Sequence, residues 1–231
     1  MKLSIIIPIL NEEKNIPILL LPLQKLRAEG HEIILVDGGS YDKSTDLAEN
    51  LVDKICVSKP GRAKQQNRGV EYANGDYLLF LHADTSLPET VVSDLSFIKA
   101  LSKNTPKQYI WGRFKVRLSG EQFIFRVIER MMNWRSCATG IVTGDQTLFI
   151  ESKFFKLIDG FPDIELMEDI AISKKLKKFS KPYCFNSQVI TSSRRWEEKG
   201  IIRTILFMWW NRLSYFFGVS PKKLQQKYYS N

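Results

Sequence analysis

The first 85 residues alternate between short apolar runs and stretches of helical character. The apolar runs are rich in Ile, Val and Leu and end at polar or turn-forming residues, as is typical of buried strands in a parallel sheet. The first stretch between them carries leucines at helical spacing, and Gly30 follows it as a stop signal. The predicted strands are residues 3–9, 32–36, 53–58 and 76–81, and the predicted helices are residues 15–28, 45–52 and 63–73.

This order of strands and helices predicts a doubly wound α/β sheet. Sheets of this kind bind ligands in the crevice beyond the carboxyl ends of their strands. Polar clusters stand at three of those ends: Asn11-Glu12, Asp37-Gly38-Gly39-Ser40 and His82-Ala83-Asp84. One such cluster can be a plain turn, but three on successive strands indicate a binding site.

The second half of the chain has a less regular pattern. Residues 109–118 alternate like a strand, residues 122–134 resemble an amphipathic helix, and residues 147–150 form an apolar run after Thr143-Gly144-Asp145-Gln146. Glu168-Asp169 opens a helical run that continues to Lys178. The pattern shows no internal repeat and no low-complexity linker, so we expect a single domain.

Residues 201–217 are rich in aromatic side chains. At about 100° per residue, most of the apolar positions of this predicted helix fall within an arc of about 140°. Three interpretations stay open: an interfacial helix on a membrane whose following lysines bind anionic lipid, a core helix that closes the domain, and a dimer surface. We find no apolar run near the roughly 18 residues that a membrane span requires.

Composition narrows the picture only slightly. The 34 Lys and Arg residues exceed the 25 Asp and Glu residues by nine, which suits a polyanionic partner, an anionic membrane surface or a phosphorylated substrate, and suits equally a solvated basic face. The cysteines, Cys56, Cys137 and Cys184, are widely spaced and odd in number, without a CxxC pair or a Cys/His cluster. We therefore expect no zinc site and a reducing, cytosolic setting.

The polar clusters offer specific chemistry. The chain has neither GxGxxG after its first strand nor GxxxxGK[ST], which argues against the Rossmann and P-loop modes of nucleotide binding. Asp37 can accept hydrogen bonds from a ligand, although Asp-Gly-Gly-Ser is also an ordinary turn. His82 and Asp84, two residues apart on an extended chain, would lie on one side and can share a metal or a phosphate. Alternatively, Asp84, Thr85 or Ser86 caps a following helix.

Later residues supply a base and cations. Of the adjacent carboxylates Glu168 and Asp169, one can face a site as general base while the other anchors the helix, although acidic residues are favoured in any first helical turn. Arg194 and Arg195 can bind phosphate and Trp196 can stack on a sugar, or the pair is a surface basic pair.

Taken together, these motifs resemble the family 2 glycosyltransferases with a GT-A fold. The resemblance covers nearly the whole chain and is most similar to a small subgroup encoded beside radical-SAM proteins, some of whose members are named arsenosugar-biosynthesis glycosyltransferases. It is carried by residues 4–12, 36–45, 61–69, 75–76, 81–85, 143–146, 167–169 and 193–196.

The resemblance implies a role for each matching position. Asp84 would hold a divalent metal, Mn²⁺ or Mg²⁺, against the donor diphosphate. His82 stands where the family has the first Asp of its DxD element, and would meet the metal, the ribose or the sugar. Asp169, beside Glu168, would be the catalytic base. The implied donor-binding residues are Pro8, Asn11, Glu12, Asp37, Gly39, Arg62, Gln65, Asp84, Arg194 and Arg195, and the acceptor-side residues are Gly144, Asp145, Gln146 and Trp196.

The expected protein is thus an inverting, metal-dependent glycosyltransferase of the cytoplasm, at or away from the inner face of a membrane. Residues 1–100 would bind the nucleotide, residues 101–198 the acceptor, and residues 199–231 would form a helical tail. Ser192 replaces the Gln of the family's QxxRW element, so we expect no processive synthesis. The partners would be a nucleoside-diphosphate sugar and a hydroxyl acceptor, with no nucleic acid. The rival functions are a catalytically weak nucleotide-sugar-binding module and a nucleotidyltransferase.

Overall fold

The computed structural model of the protein describes residues 1–103 and 109–230. Residues 104–108 of the expected acceptor half and Asn231 of the expected tail lie outside the described residues. The described part of the first half contains four strands and three helices in the order predicted, followed by a short strand and a helix that the pattern did not reveal. These elements are β1 (Leu3–Ile9), α1 (Ile16–Ala28), β2 (Glu32–Asp37), α2 (Ser44–Ala48), β3 (Lys54–Val57), α3 (Arg62–Val70), β4 (Tyr77–Phe80), β5 (Thr85–Ser86) and α4 (Val91–Lys103).

Among the described residues, the second half contains three strands and six α-helices, and the last three helices follow one another at the end of the chain. A 3₁₀ turn, Gly144–Gln146, stands between its first helix and its second strand. The other elements are β6 (Trp111–Leu118), α5 (Phe123–Thr139), β7 (Leu148–Glu151), α6 (Ser152–Leu157), α7 (Glu168–Leu176), β8 (Tyr183–Thr191), α8 (Arg194–Lys199), α9 (Ile201–Phe216) and α10 (Pro221–Ser230).

One sheet joins the two halves. Its strand order is β3-β2-β1-β4-β7-β6-β8-β5. The block from β3 to β4 is parallel throughout, with Ile9 opposite Asp37 and Ile6 opposite Phe80. Beyond β4 the pairing is mixed, because β7 runs antiparallel to both β4 and β6 while β8 runs parallel to β6. The expected α/β sheet is confirmed, and its parallel part coincides with the regular part of the sequence pattern.

The continuous apolar runs are explained by helices on both faces of the sheet. Successive side chains of a strand point to opposite faces. Leu3, Ile5 and Ile7 of β1 therefore enter the core beneath α1 and α4, whereas Ile6 enters the core beneath α3, α6 and α7. Both faces are buried, so β1 and β2 carry almost no exposed side chain. The carboxyl ends of β1, β2 and β4 emerge together at one edge, where the three polar clusters lie.

Several local expectations need correction. The chain turns at Ala83 and Asp84 instead of staying extended, with the Thr85 N–H donating to the His82 carbonyl at 3.1 Å. The alternative of a helix cap at residues 84–86 is not realised, because Thr85 and Ser86 pair with β8 and α4 begins only at Val91.

The cysteines also differ from the expectation of reduced thiols. Cys137 of α5 and Cys184 of β8 are joined by a disulfide, while Cys56 is free and buried. The sequence expectation is therefore wrong for two of the three cysteines. The sequence could not predict this disulfide, because Cys137 and Cys184 are 47 residues apart and come together only when α5 and β8 pack in the tertiary fold.

No helix in the described part of the chain is both long enough and apolar enough to span a bilayer.

Candidate functional site

A cleft of about 780 Å³ opens beyond the carboxyl ends of β1 and β4. Its walls come from the loop before α3, the 3₁₀ turn, the start of α7, the start of α8 and the inner face of α9. Most residues predicted from the sequence line this cleft. They are Pro8, Glu12, Arg62, Gln65, His82, Asp84, Gly144, Asp145, Glu168, Asp169, Arg194, Arg195 and Trp196.

The loop after β2 is closed by its own hydrogen bonds. Asp37 accepts from the Gly39 N–H, the Ser40 N–H and the Ser40 hydroxyl, the last at 2.6 Å. Gly39 has φ +97°, a conformation that glycine adopts without strain. Asn11 ties the neighbouring loop to it, since its Oδ1 accepts from the Tyr41 N–H at 3.0 Å. Asn11, Asp37 and Gly39 lie beside the cleft and are not among its lining residues, so their contact with a nucleotide stays a prediction.

Gln65 holds the ends of two strands together. Its Nε2 donates to the Ile9 carbonyl at 2.8 Å and to the Val36 carbonyl at 2.9 Å. The side chain is buried at the floor of the cleft, where both of its amide hydrogens are used by the protein. Gln65 therefore fixes the shape of the floor more directly than it offers donors to a ligand.

The start of α7 brings paired carboxylates to the opposite wall. Glu168 is buried, and its Oε1 lies 3.9 Å from Arg62 Nη1 across the cleft. The preceding residue, Met167, has φ +70°, an uncommon conformation for a residue with a side chain. Positive φ also occurs at Asn11 (φ +56°), a predicted site residue, at Thr147 (φ +52°), which follows one, and at Asp159 (φ +55°), which lies outside the cleft. Backbone strain of this kind clusters at functional sites.

Asp169 has the geometry of a base held in place. Its Oδ1 accepts from the Ile170 N–H at 2.7 Å and its Oδ2 from the Gly144 N–H at 3.3 Å. Burial in the protein, and then the adjacent Glu168 carboxylate, raise the pKa of Asp169 to about 6 against the lowering effect of those hydrogen bonds. A carboxylate with a raised pKa is a stronger proton acceptor than an ordinary one.

His82 packs directly on the 3₁₀ turn. A Cβ added at Gly144 would overlap the imidazole ring, so only glycine fits there. Burial, followed by the Arg62 charge, lowers the pKa of His82 to about 3, and the ring is neutral. Its Nδ1 lies 3.8 Å from Asp145 Oδ1, which is too long for a hydrogen bond, and the neutral ring forms no ion pair.

Asp145 lies close enough to Asp84 for the two carboxylates to repel each other. Burial first, and then the Asp84 charge, raise the pKa of Asp145 to about 6. The resemblance implies an acceptor-side role for Asp145; in the fold this residue lies beside His82 and close to the Asp84 charge, and its role stays a prediction. Gln146, predicted as an acceptor contact, is fully buried and donates to Ser136 Oγ at 3.0 Å, so it supports the turn from below.

The remaining predicted residues, Glu12, Arg194, Arg195 and Trp196, also line the cleft. Burial raises the pKa of Glu12, which accepts a hydrogen bond from Asn15 Nδ2 at 2.6 Å. Arg194 is exposed at the start of α8, beside Arg195. Trp196 was expected to offer a stacking face, but most of its surface is buried in a small core with α5 and β6.

Arg135 of α5 is a residue that the sequence analysis missed. Its Nε and Nη2 are buried and have no hydrogen-bond partner among the described residues. Burial lowers the pKa of Arg135, and the Asp169 and Asp145 carboxylates oppose this shift. In the sequence, Arg135 is one of three arginines on an amphipathic helix and resembles a residue of a solvated face, so only the fold could reveal its position near these two acids.

Comparison with known proteins identifies the family of the chain. The Glycosyl transferase family 2 model matches residues 4–167, which is more than half of the chain. A relative named PGL/p-HBAD biosynthesis glycosyltransferase, from Mycobacterium tuberculosis (strain ATCC 25177 / H37Ra), is 36% identical over 118 residues. That match covers 47% of this chain and 45% of the relative, so the chain spans less than half of the relative's length.

Solved structures show the same fold at low sequence identity. S. aureus TarS 1-349 in complex with UDP-GlcNAc matches with a TM-score of 0.62 and 20% identity, over 83% of this chain and 58% of that one. The mannosyltransferase PcManGT from Pyrobaculum calidifontis, in complex with GDP-Man and Mn²⁺, matches with a TM-score of 0.59 and 15% identity, over 81% and 56%. With the family match over residues 4–167, the GT-A arrangement of the sheet and the cleft at its strand ends, the chain belongs to glycosyl transferase family 2.

Proposed function

We propose that this protein transfers a sugar from a nucleoside-diphosphate sugar to an acceptor hydroxyl, with inversion and with a divalent metal. One observation carries the proposal: a single cleft collects Arg62, Asp84 and Asp169 at the strand ends of a family 2 fold. Cations for a diphosphate, a carboxylate for a metal and a carboxylate of raised pKa are what this transfer requires.

The donor would occupy the side of the cleft formed by residues 1–100. Pro8, Glu12 and Gln65 line this side and would face the nucleoside, while the bonded loops of Asn11, Asp37 and Gly39 support it. Arg194 and Arg195 stand across the mouth, where guanidinium groups would bind phosphate oxygens. The acceptor would approach from residues 101–198, which contain Asp169, and residues 199–231 would close the cleft as a helical tail.

The donor atoms near Asp84 fit a metal held jointly by protein and substrate. Asp84 is exposed to the cleft and Asp145 lies within its field, beside a neutral His82. The described residues contain no group of three or more His, Cys, Asp or Glu side chains placed to hold a metal by themselves. Mg²⁺ and Mn²⁺ commonly take one or two carboxylates and complete their shell with substrate phosphates and water. A bound metal would offset the charge that grows on the departing diphosphate.

Asp169 would act on the acceptor. It takes the proton of the acceptor hydroxyl as that oxygen forms a bond to the anomeric carbon, and the bond from that carbon to the nucleoside diphosphate breaks. The Gly144 N–H and the Ile170 N–H hold the carboxylate in place during this step. Glu168, paired with Arg62, anchors the start of α7. A single displacement of this kind inverts the anomeric configuration.

A thermal-shift screen tests the proposal. We expect one of UDP-, GDP- or dTDP-sugars to raise the melting temperature only when Mn²⁺ is present, by roughly 5–10 °C at a ligand concentration about a hundredfold above Kd. In the Asp84→Ala variant, adding Mn²⁺ should no longer increase the shift in melting temperature that the nucleotide sugar produces. The control Glu89→Ala removes an exposed carboxylate outside the cleft and should behave as wild type. If no nucleotide sugar stabilises the protein with or without metal, the proposal is wrong.

Finer assignments belong to the same proposal. Within the family, we propose the subgroup encoded beside radical-SAM proteins and a cytoplasmic location, at the inner face of a membrane. The helix over residues 201–217 would contact that membrane or a second copy of the chain. Thr204, Met208 and Asn211 of α9 line the cleft, which supports a role for the tail beside the substrates.

A further inference from the structure

Two helices of the protein expose apolar stripes. On α5 the stripe consists of Phe123, Ile124, Val127, Met131 and Trp134, which share an arc of about 100° on a helix. On α9 it consists of Ile202, Leu206, Trp209, Trp210, Leu213 and Phe216, within about 120°. Each stripe lies away from the face by which its helix packs on the protein. Single exposed apolar residues are ordinary, but two continuous stripes are not.

The two helices pack on one core. Phe125, Ile128 and Met132 of α5 form a small core, and Ile201 and Ile205 of α9 pack against it. The two stripes therefore lie on the outer faces of helices that cover the same small core. We call the two stripes together the α5–α9 surface.

The exposed tryptophans are concentrated on the α5–α9 surface. The chain has five: Trp111 and Trp196 are buried, while Trp134 (74%), Trp209 (64%) and Trp210 (60%) are exposed on the α5–α9 surface. Tryptophan is enriched where an apolar phase meets water, because the ring is amphipathic. All three exposed tryptophans therefore lie on the surface that would contact the interface of a bilayer.

The surrounding charge matches an anionic surface. From Lys199 to the end, the sequence contains six basic residues and no acidic residue, within a protein whose net charge is +9. Lys222 and Lys223 stand exposed at the start of α10, directly after α9. On α5 the one acidic residue, Glu129, is buried and accepts from the Leu118 N–H at 2.6 Å. The helices α9 and α10 thus carry positive charge and no negative charge.

We propose that the α5–α9 surface docks the protein on a bilayer that contains anionic lipid. The aromatic stripes enter the boundary between headgroups and acyl chains, and the basic residues of α10 contact the anionic headgroups. The opposite face of α9, with Thr204, Met208 and Asn211, lines the cleft. Docking therefore sets the cleft about one helix diameter, roughly 10 Å, from the lipid surface. This docking does not depend on the proposed transfer reaction.

Vesicle flotation of the full chain tests the proposal. We expect wild-type protein to float with vesicles of phosphatidylcholine and phosphatidylglycerol and to bind vesicles of phosphatidylcholine alone much more weakly. Trp134→Gln and Trp209→Gln should each weaken binding about tenfold, because each removes a large apolar group from the interface. Lys222→Glu should weaken binding to the anionic vesicles about fivefold or more.

A matched control uses apolar residues exposed elsewhere. Ile18 (74%) and Leu21 (60%) on α1 are as exposed as the stripe residues but lie outside the α5–α9 surface. The double variant Ile18→Gln/Leu21→Gln should bind as wild type. Melting temperatures of all variants should match wild type, because only exposed side chains change, and an unchanged melting temperature shows that lost binding is not unfolding.

Three results would overturn the proposal. The first is absence of flotation with either vesicle. The second is equal binding of the tryptophan variants and wild type. The third is a concentration-dependent dimer, in sedimentation without lipid, that Trp134→Gln and Trp209→Gln dissociate, because a second copy would then cover the surface. A blue shift of tryptophan emission on adding anionic vesicles, absent in Trp209→Gln/Trp134→Gln, would support docking by these residues directly.

Discussion

The two sides of the cleft satisfy their polar groups in different ways. On the side built by β1, β2 and α3, the polar side chains bond to the protein itself: Asp37 closes its own loop and Gln65 joins two strand ends. On the side built by the 3₁₀ turn and α7, charged groups are crowded without full compensation. The pKa values of Asp145 and Asp169 are raised to about 6, and two guanidinium nitrogens of Arg135 lack hydrogen-bond partners among the described residues.

This difference indicates that the first side of the cleft sets the shape of the binding site and that the second side carries the reactive groups. The first side, with its bonds already made, is a preformed cradle, and a ligand there meets a fixed surface. On the second side, the repulsion between carboxylates and the hydrogen bonds that Arg135 lacks within the described part of the chain leave the charged groups incompletely stabilised. A bound substrate, metal or transition state would supply the missing interactions. Perturbed pKa values cluster at such functional positions. Changes on the second side should therefore alter the rate of transfer, and changes on the first side should alter stability and donor binding.

The largest effect should come from Asp169→Asn. The amide keeps the size of the side chain but cannot take a proton, so we expect kcat to fall about 10²–10⁴-fold with donor affinity nearly unchanged. Steady-state kinetics and donor titration measure the two quantities separately. Asp163→Asn serves as control, because Asp163 is exposed, pairs with Lys64 at 3.5 Å and lies outside the cleft. Turnover like that of wild type in Asp169→Asn would remove this residue from the mechanism.

Gly144→Ala should produce the next largest loss. The added methyl group overlaps the His82 ring and must displace either the ring or the turn that donates to Asp169. We expect about a hundredfold lower kcat, since small misplacements at a reacting centre carry costs of this size. Stability should fall by about 1–3 kcal/mol, as in other overpacked sites.

A double-mutant cycle isolates the cause of this loss. In the His82→Ala background the space beside residue 144 is open, so adding Gly144→Ala should change kcat much less than it does in wild type. Equal losses in both backgrounds would show that the contact with His82 is not the reason for glycine at this position.

The parallel part of the fold could be predicted because its pattern is local. The apolar runs at β1 and β2 are buried on both faces, and their observed bounds differ from prediction by a residue or less. The second half could not be predicted as well. Tyr183–Thr191 contains Asn186, Ser187 and Gln188, and becomes a strand only because it pairs with β6. Strand preference at such a position depends on tertiary neighbours, which a sequence pattern does not contain.

The site shows the same limit. Polar clusters at strand ends predicted Glu12 and Asp84, the paired carboxylates predicted Asp169, and all three residues line one cleft. The approach of Asp145 to His82 and Asp84 joins segments more than sixty residues apart, and no spacing rule predicts it. Arg135 and the positive φ of Met167 were equally hidden. The sequence thus indicates which edge of the sheet is functional, while the pairing of charges across that edge comes from the packing of the second half.

A change of pH should alter the rate of transfer less than these substitutions do. This change should come from Asp169, on the second side of the cleft. Because the pKa of Asp169 is raised to about 6, this carboxyl is protonated and inactive as a base below that pH and ionised above it. The kcat/KM, which reports the free enzyme, should rise about tenfold per pH unit up to about pH 6 and then level off. Asp145 has a similar pKa, so the Asp145→Asn variant decides the assignment: the acidic limb should persist in it. A limb near pH 4 would contradict the raised pKa.

The smallest effect on turnover should follow Gln65→Leu, on the first side. Leucine fills the space but leaves the Ile9 and Val36 carbonyls without the Nε2 donor that now joins them. Because such buried bonds are costly to remove, we expect the free energy of unfolding to fall by about 1–3 kcal/mol. KM for the donor should rise several-fold as the floor of the cleft loosens, while kcat stays within about twofold, since no group near Asp169 moves. Urea denaturation and steady-state kinetics measure these quantities. If kcat fell as far as in Gly144→Ala, the cradle would take part in the chemistry, and the separation of shape from reactivity would not hold.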